Sequence, residues 1–476
     1  MPSAPSTPPT STSYDLVVIG SGPGGYWAAI RAGEYGLKTL CIERDPKLGG
    51  TCLHVGCIPT KALLYSADVM DTFRNAKELG FDVSTVAVNW AQMQARKNKI
   101  VAKHAKGIEF LFRKNKVEWM QGTAAFTGTA GQLAVTKPDG SQQSVRAKNI
   151  IVGTGSTARM LPGLKVSDRI LTNIEILSLP AIPKKLVIIG AGAVGVEFAS
   201  IYRRFDTDVT ILEMLPRIVP IEDEEISKEL EKQLKKQKIN IETRARFEQV
   251  EPAGAGVKVT YTNAEGKQQT IAADTLLVAV GRAPVTDGLH LEKTKIKTEH
   301  GFIVTDNYMR TAEPGVYAIG DVVAGSPLLA HVGSMEGMVA VAHIAGKKFR
   351  AMDYTRVPNC TYCEPQVASV GLTEAAARAQ GLSVKVGKFP FVGNSKATIL
   401  GMHEGFIKMV ADAKDGTLLG VHMIGPLVTE LVSEATLALQ MNASADELME
   451  TIHAHPTVYE AMLDAANNIY GLTINA

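Results

Sequence analysis

The chain of 476 residues has little cysteine, five residues in all, and few aromatics, 6% of the total. So few and such scattered thiols exclude a small secreted scaffold stapled by disulfides. Long apolar runs are missing too. Those at 186–189 and 276–280 are strand-sized, far short of the roughly 20 residues a membrane span needs. Neither sign of charge dominates, since 50 Lys and Arg face 48 Asp and Glu for a formal +2. With no basic block standing out, a nucleic-acid or polyanion binder is not expected. Residues 1–13 are mostly Pro, Ser, Thr and Ala and contain neither Lys nor Arg. They lack the charged start and apolar stretch of a signal, so a disordered tail on a cytoplasmic protein is the expectation.

What is present in quantity is glycine, 43 residues, and two groups of them share one grammar. Residues 14–20 read as a buried strand, Gly20-Ser21-Gly22-Pro23-Gly24-Gly25 as a turn, 26–36 as a helix, and 37–43 as a strand ending on Glu43. This is the spacing of a dinucleotide-binding unit. One glycine makes the tight turn, one lets backbone approach a pyrophosphate, one allows helix packing, and an acid about 20 residues on accepts from a ribose hydroxyl. The pattern returns as a strand at 185–189, the turn Gly190-Ala191-Gly192-Ala193-Val194-Gly195, a helix at 196–205 and a strand at 208–212 leading to Glu213. Two such units imply two dinucleotides, one held tightly and one exchanging. Glu213 would accept from ribose hydroxyls and repel a 2′-phosphate, which favours NAD over NADP; Arg217 nearby is the counter-signal. Stretches 117–147 and 257–272 read as β-rich. From about 354 onward strands give way to helical runs at 428–441 and 445–452, a separate domain without a nucleotide motif.

Cys52 and Cys57 follow the first glycine turn, where they would lie beside any redox ring the dinucleotide carries. On a regular helix residues five apart are separated by about 7.5 Å of rise and about 140° of rotation. Bridged Cα atoms usually lie roughly 4.4–6.8 Å apart. A bridge here therefore needs a distorted junction, and Gly56 supplies the freedom for it. In a reducing cytosol such a bridge is catalytic more often than structural; two buried apolar cysteines are the plainer alternative.

Residues 49–64, GGTCLHVGCIPTKALL, resemble the redox-active segment of the FAD-dependent pyridine nucleotide-disulfide oxidoreductases. The resemblance continues through Gly153-Thr154-Gly155-Ser156, Val280-Gly281-Arg282, Val316-Tyr317-Ala318-Ile319-Gly320-Asp321 and His453-Ala454-His455-Pro456-Thr457-Val458-Tyr459-Glu460. It implies that Cys52 is the thiol exchanging with substrate and Cys57 the thiol facing the flavin. Lys61 would lie near the flavin, paired with Glu197, while Asp321 would hold the ribityl chain. Leu328, Leu329, Ala330 and His331 would form the loop under the ring. Gly20, Gly22, Pro23, Gly24, Gly25, Glu43, Gly50, Thr51, Gly122, Thr154, Gly155 and Ser156 complete the implied FAD contacts. Gly190, Gly192, Ala193, Val194, Gly195, Glu197, Glu213 and Gly281 are the implied NAD contacts.

His455 resembles the family's general base, with Glu460 orienting it and His453 as a rival. Neutral imidazole suits proton removal from a thiol near pH 7. Pro456 suits a first helical turn, so His455 would project from a helix start with Glu460 about one turn onward. In the family this base reaches the disulfide from the other subunit, which implies a homodimer. The implied fold class is α/β: two Rossmann-like dinucleotide-binding domains plus an α+β C-terminal dimerisation domain. The boundaries expected are 14–155 and 283–353 for FAD, 156–282 for NAD, and 354–476 for the interface.

Other signals carry less. Cys360-Thr361-Tyr362-Cys363 offers two zinc ligands where four are needed, so no metal is expected and both cysteines read as structural, on opposite faces of a strand. His54, between the redox cysteines, stands where the family more usually has asparagine. The run 222–232 reads as a solvated helix face. The implied activity is oxidation of protein-bound dihydrolipoyl groups with reduction of NAD+. Its partner would be a lipoylated protein of a 2-oxo acid dehydrogenase complex or the glycine cleavage system, with no nucleic acid and no membrane. The alternatives are another FAD/NAD(P)H disulfide reductase or a redox-sensing flavoprotein without turnover. Glu213 disfavours the NADP-linked reductases, and the absence of cysteine after Cys363 disfavours a mercuric reductase.

Overall fold

A computed structural model describes residues 13–475 and resolves the chain into two compact units. Residues up to 59, 97–157 and 282–354 make the first; 60–96, 158–281 and 355 onward make the second. The expected tail lies outside the described residues, apart from Ser13, which opens the first strand.

In the first unit Ser13–Ile19 is central to a parallel sheet. It pairs with Thr39–Glu43 on one side and Gln142–Val152 on the other. Glu118–Gln121 and Val316–Ala318 extend the two edges, also in parallel. Its apolar run is sealed on both faces, Leu16, Val17 and Val18 being fully buried, as parallel sheets require. Gln142–Val152 is long enough for a second task. Its first half pairs antiparallel with Gln132–Thr136, which pairs in turn with Thr123–Phe126. Strand order reverses at Ser13–Ile19, so its carboxyl end opens into the crevice where such sheets bind ligands.

The helix after it is Pro23–Glu34, starting earlier than the expected 26–36 because Gly22 caps it and Pro23 occupies its first position. Proline lacks an N–H that would be unpaired there anyway. This helix crosses Ala330–Ile344 at a glycine contact, where a Cβ on Gly24 would lie 2.7 Å from the Gly333 carbonyl oxygen.

In the second unit a parallel sheet has the order Asn240–Thr243, Asp208–Glu213, Lys185–Ile189, Thr275–Val278, Ile170–Leu171. An antiparallel sheet of Arg246–Ala253, Gly256–Thr262 and Gln268–Ala273 accompanies it. The C-terminal part is a five-stranded antiparallel sheet in the order Asn359–Thr361, Gln366–Gly371, Leu418–Gly425, Phe406–Asp412, Val384–Pro390. Helices Val428–Met441 and Glu460–Asn468 pack on it through Leu431, Ala435, Met462 and Ala466, and Ala445–Glu450 packs against the second of these. Among the described residues no helix is long and apolar enough to cross a membrane.

Two readings of charge need correcting. The run 222–232 is not simply a solvated face, because Glu222 and Asp223 are buried. Asp223 caps the helix Glu224–Lys236 and also meets Lys408 Nζ at 3.0 Å, a lysine only 3% exposed that contacts Glu225 and Glu374 too. A buried ammonium persists only where carboxylates surround it, and the partner from strand Phe406–Asp412 is invisible in the local sequence. Basic residues, in turn, do gather: residues 90–116 hold eight Lys and Arg against Glu109 alone, most of them on the helix Trp90–Lys114. They are spaced along the chain and become a group only once wound into a helix.

Candidate active site

The first glycine turn shows its purpose through what a side chain would meet. A Cβ on Gly25 would lie 1.9 Å from the Gly20 carbonyl oxygen, and one on Gly20, at φ +96°, would lie 2.3 Å from that of Gly153. Those two glycines serve packing. Gly22 is different, since nothing lies within 4 Å of the place its Cβ would take, and it stands at the start of the helix Pro23–Glu34. Open space before a helix N-terminus suits a pyrophosphate, which free N–H groups and the helix dipole attract. Gly22→Ala should therefore fold normally but lose FAD, whereas Gly25→Ala should cost about 1–3 kcal/mol of stability or more through overpacking. Thermal unfolding and FAD retention on gel filtration check both, and undiminished retention in Gly22→Ala would refute the cradle.

Glu43 is buried and braced. Its Oε2 accepts from the Ser21 N–H at 2.8 Å and the Ser21 hydroxyl at 2.6 Å, and its Oε1 from the Asp45 N–H at 2.9 Å. A carboxylate has about four acceptor positions, so lone pairs remain for a ribose. Gly122 donates its N–H to the Glu43 carbonyl at 2.8 Å. A cavity beyond is lined by Arg44, Gly122, Thr123, Thr136 and Lys137. The second turn repeats the plan. Gly195 packs against the Gly190 carbonyl, Gly192 is open, and Glu213 accepts from the Ala191 and Leu215 N–H groups at 2.7 Å each. Ala193 and Val194 begin the helix Ala193–Arg204, Val194 being exposed. Arg217 turns to the Pro220 carbonyl at 2.7 Å, which leaves Glu213 as the group at the strand end.

Cys52 and Cys57 are joined as a disulfide with Cα atoms 4.7 Å apart. The expected distortion sits at Gly56 (φ −145°, ψ −116°), which separates the short helix Gly50–Val55 from Cys57–Arg74. The bridge is tied to the first glycine turn: the Gly49 N–H reaches Ser21 O at 3.1 Å and Ser21 Oγ at 3.0 Å. A Cβ on Gly50 would fall 2.6 Å from the Gly22 Cα. Thr51 is exposed, and both cysteines are partly so. His54 donates Nε2–H to the Leu48 carbonyl at 2.9 Å, tying the disulfide helix to the loop before it.

Asp321 sits in a short helical turn and accepts from the Ser156 hydroxyl at 2.5 Å. Arg282 donates to Ser156 Oγ at 2.5 Å and Ser156 O at 2.7 Å and lies 3.6 Å from Asp321. Arg282 was legible as part of a motif but had no role in the sequence. Glu336, also missed, is fully buried in Ala330–Ile344 and pins the loop around Asp321 through the Gly320 N–H, Ser326 at 2.7 Å and Tyr354 at 2.6 Å. Thr154 donates to the Val285 carbonyl at 2.6 Å, and Gly155 and Gly281 both take positive φ. Leu328 is 38% exposed, Leu329 precedes the helix that Ala330 and His331 begin, and His331 is exposed.

Within the second unit Lys61 Nζ lies 2.8 and 2.7 Å from the two oxygens of buried Glu197. His455 and His453 separate cleanly. His453 has both ring nitrogens engaged, Nε2 with Glu434 at 2.8 Å and Nδ1 with the Thr451 carbonyl at 2.9 Å, and its side chain is 5% exposed. His455 bonds Glu460 through Nδ1 at 2.9 Å and is 70% exposed, so Nε2 faces outward. The expected helix at Pro456 is absent: the His455–Pro456 bond is cis and the helix begins at Glu460. Glu460 reaches His455 across the turn, its other oxygen taking the Thr457 N–H at 2.9 Å. Burial would raise the Glu460 carboxyl, yet the Thr457 N–H and His455 hold it below the ordinary range.

Cys360 lies in the strand Asn359–Thr361 and Cys363 beyond it, so they do not share a strand; neither is bridged. Burial pushes the Cys360 thiol up to about 11 and that of Cys363 higher still. Among the described residues no cluster of three or more His, Cys, Asp or Glu is placed to hold a metal.

The family model for pyridine nucleotide-disulphide oxidoreductases matches residues 14–337, and the dimerisation-domain model of that family matches 357–466. The dihydrolipoyl dehydrogenase of Chlorobaculum tepidum is 45% identical over 457 residues, 96% of this chain and 97% of its own. That of Bacillus subtilis is 43% identical over 466 residues, 96% and 98%. Dihydrolipoyl dehydrogenase 1, mitochondrial, of Arabidopsis thaliana is 43% identical over 470 residues, 98% and 92%. Among solved structures, LpdA from Mycobacterium tuberculosis matches with a TM-score of 0.89 at 27% identity, covering 96% of this chain and 99% of its own. The HOCl-induced flavoprotein disulfide reductase RclA from Escherichia coli, in its Cu(II) complex, matches at 0.85 and 26%, covering 96% and 99%.

Proposed function

This chain belongs to the pyridine nucleotide-disulphide oxidoreductase family, and we infer from that premise and its site that it is a dihydrolipoyl dehydrogenase. It oxidises dihydrolipoyl groups carried on a separate protein and reduces NAD+. The observation that carries this is the Cys52–Cys57 bridge anchored through Gly49 to the first glycine turn. Gly20, Gly22, Pro23, Gly24, Gly25, Glu43 and Asp321 would hold FAD, and Gly190, Gly192, Ala193, Gly195 and Glu213 would hold NAD. Both cradles fit, each with an open glycine and a braced acid. Bound FAD supplies a two-electron relay between the reduced cysteine pair and NAD+.

The protein's part is thiol exchange and proton control. Nε2 of the partner subunit's His455 takes a proton from one substrate thiol. The thiolate attacks Cys52 Sγ, the Cys52–Cys57 bond breaks, and Cys57 leaves as thiolate. The second substrate sulfur then displaces Cys52, closing the substrate disulfide and leaving both cysteines reduced. Such exchange follows thiolate access and leaving-group acidity. Glu460 keeps the ring turned so that Nε2 remains the free nitrogen. Lys61 and Glu197 serve the hydride side of the reaction.

The dimer this requires has support in the dimerisation-domain match and in apolar residues still facing outward. Tyr65, Val69 and Phe73 form an exposed stripe along one face of Cys57–Arg74, and Leu437, Met441 and Ile452 are exposed on the C-terminal part. The partner is a lipoylated protein of a 2-oxo acid dehydrogenase complex or the glycine cleavage system, in the cytoplasm. Steady-state rates with dihydrolipoamide, glutathione and Hg2+ against NAD and NADP test the reading. Dihydrolipoamide with NAD should lead, and a faster NADP-linked glutathione or mercuric activity would sink it. Glu213→Ala should raise the KM for NADH about tenfold, the loss of one or two ribose hydrogen bonds at about 1 kcal/mol each; unchanged kinetics would remove Glu213 from the ribose.

A further inference from the structure

The segment 360–363, set aside in the sequence, closes on the Lys61–Glu197 pair inside the second unit. Tyr362 touches both members. Its backbone N–H donates to Glu197 Oε1 at 3.0 Å, and its ring centre lies 4.4 Å from Lys61 Nζ. The ring is largely buried, with Cys360 of the strand Asn359–Thr361 beside its hydroxyl end. Three separate stretches of chain thus converge on one ammonium: the helix Cys57–Arg74, the helix Ala193–Arg204 and the end of that strand.

A lysine ammonium rides on a flexible four-carbon stem and is poorly placed by a single partner. Here a carboxylate grips it from one direction and an aromatic face from another, while the Lys61 side chain stays 33% exposed. An aromatic face attracts a cation through its quadrupole. It can therefore fix the position of the charge without cancelling it, as a second carboxylate would.

We propose that Tyr362 is a positioning residue for hydride transfer, its ring and its backbone N–H holding the Lys61 ammonium and the Glu197 carboxylate in the arrangement that the transfer needs. The proposal rests on the role given above to the Lys61–Glu197 pair. The ring and the backbone N–H carry the effect, not the hydroxyl, so Tyr362→Phe and Tyr362→Leu should part company.

Two measurements test this. In cofactor-free protein, acetylation of Lys61 by acetic anhydride, followed by mass spectrometry, should be severalfold faster in Tyr362→Leu than in the unaltered protein and unchanged in Tyr362→Phe. In FAD-loaded protein, stopped-flow reduction by NADH should slow about tenfold in Tyr362→Leu, with the KM for dihydrolipoamide unaltered and Tyr362→Phe close to normal. Equal acetylation in Tyr362→Leu overturns the proposal. So does a Tyr362→Phe protein as impaired as Tyr362→Leu, or faster acetylation with NADH reduction unslowed. Failure of the unaltered protein to turn over dihydrolipoamide would overturn the functional reading instead, and the two are distinguishable because the acetylation contrast needs no cofactor.

Discussion

Replacing Cys52 with serine should lower the oxidation of dihydrolipoamide on the order of a thousandfold or more, as loss of the group that forms the covalent intermediate does, while NADH oxidation by an artificial acceptor persists. A serine oxygen cannot form the bridge that substrate sulfur must break. The rest of the cradle is untouched, because Gly49 and Gly50 meet the first glycine turn through their own backbone. FAD content should therefore stay normal, which separates this variant from one that fails to fold. The two rates are read side by side on the same preparation. Lipoamide turnover surviving at more than a few per cent would mean that electrons bypass the bridge.

His455→Gln is the second large effect. Removing a general base costs about 10²–10⁴ in rate, and the loss should fall on the dithiol half-reaction while reduction by NADH is spared. His453→Gln is the control, since that ring is enclosed between Glu434 and the Thr451 carbonyl. Glu460 sharpens the pH argument. Its carboxyl is held below the usual range by the Thr457 N–H and His455 against the opposing push of burial. A depressed carboxyl contributes stability above its unfolded pKa and loses it only as pH falls through the lowered folded one. Glu460 therefore stays a carboxylate through the neutral and mildly acid range, and its hold on His455 does not change there. Thermal unfolding across that range checks this, and a stability loss that sets in above the ordinary carboxylate range and vanishes in Glu460→Gln would count against it.

How far these residues could be read from the chain depended on whether their partners are near in sequence. Both glycine turns and their terminal acids lie within one strand–helix–strand stretch, so spacing alone placed Glu43 and Glu213. The break at Gly56 followed from helix geometry. Long-range partners were opaque: nothing near Asp223 announces Lys408, and nothing near Lys61 announces Tyr362. Likeness and the adjacent Pro456 favour His455 over His453 in the sequence, whereas the contrast between a ring with one nitrogen open and a ring with both engaged needs three dimensions. Pro456 misled because a proline that suits a first helical turn also suits the bend that precedes a helix.

The doubled bracing of the strand-end acids bears on how coenzyme choice could drift. Glu213, which we propose discriminates between the coenzymes, is also the acceptor for the Ala191 N–H, so exchanging it for a residue that welcomes a phosphate leaves that amide without its acceptor and loosens the loop that would receive the new coenzyme. A lineage moving toward NADP by this route has to find a substitute acceptor first, and the same interlock joins Glu43 to the Ser21 N–H at the other strand end.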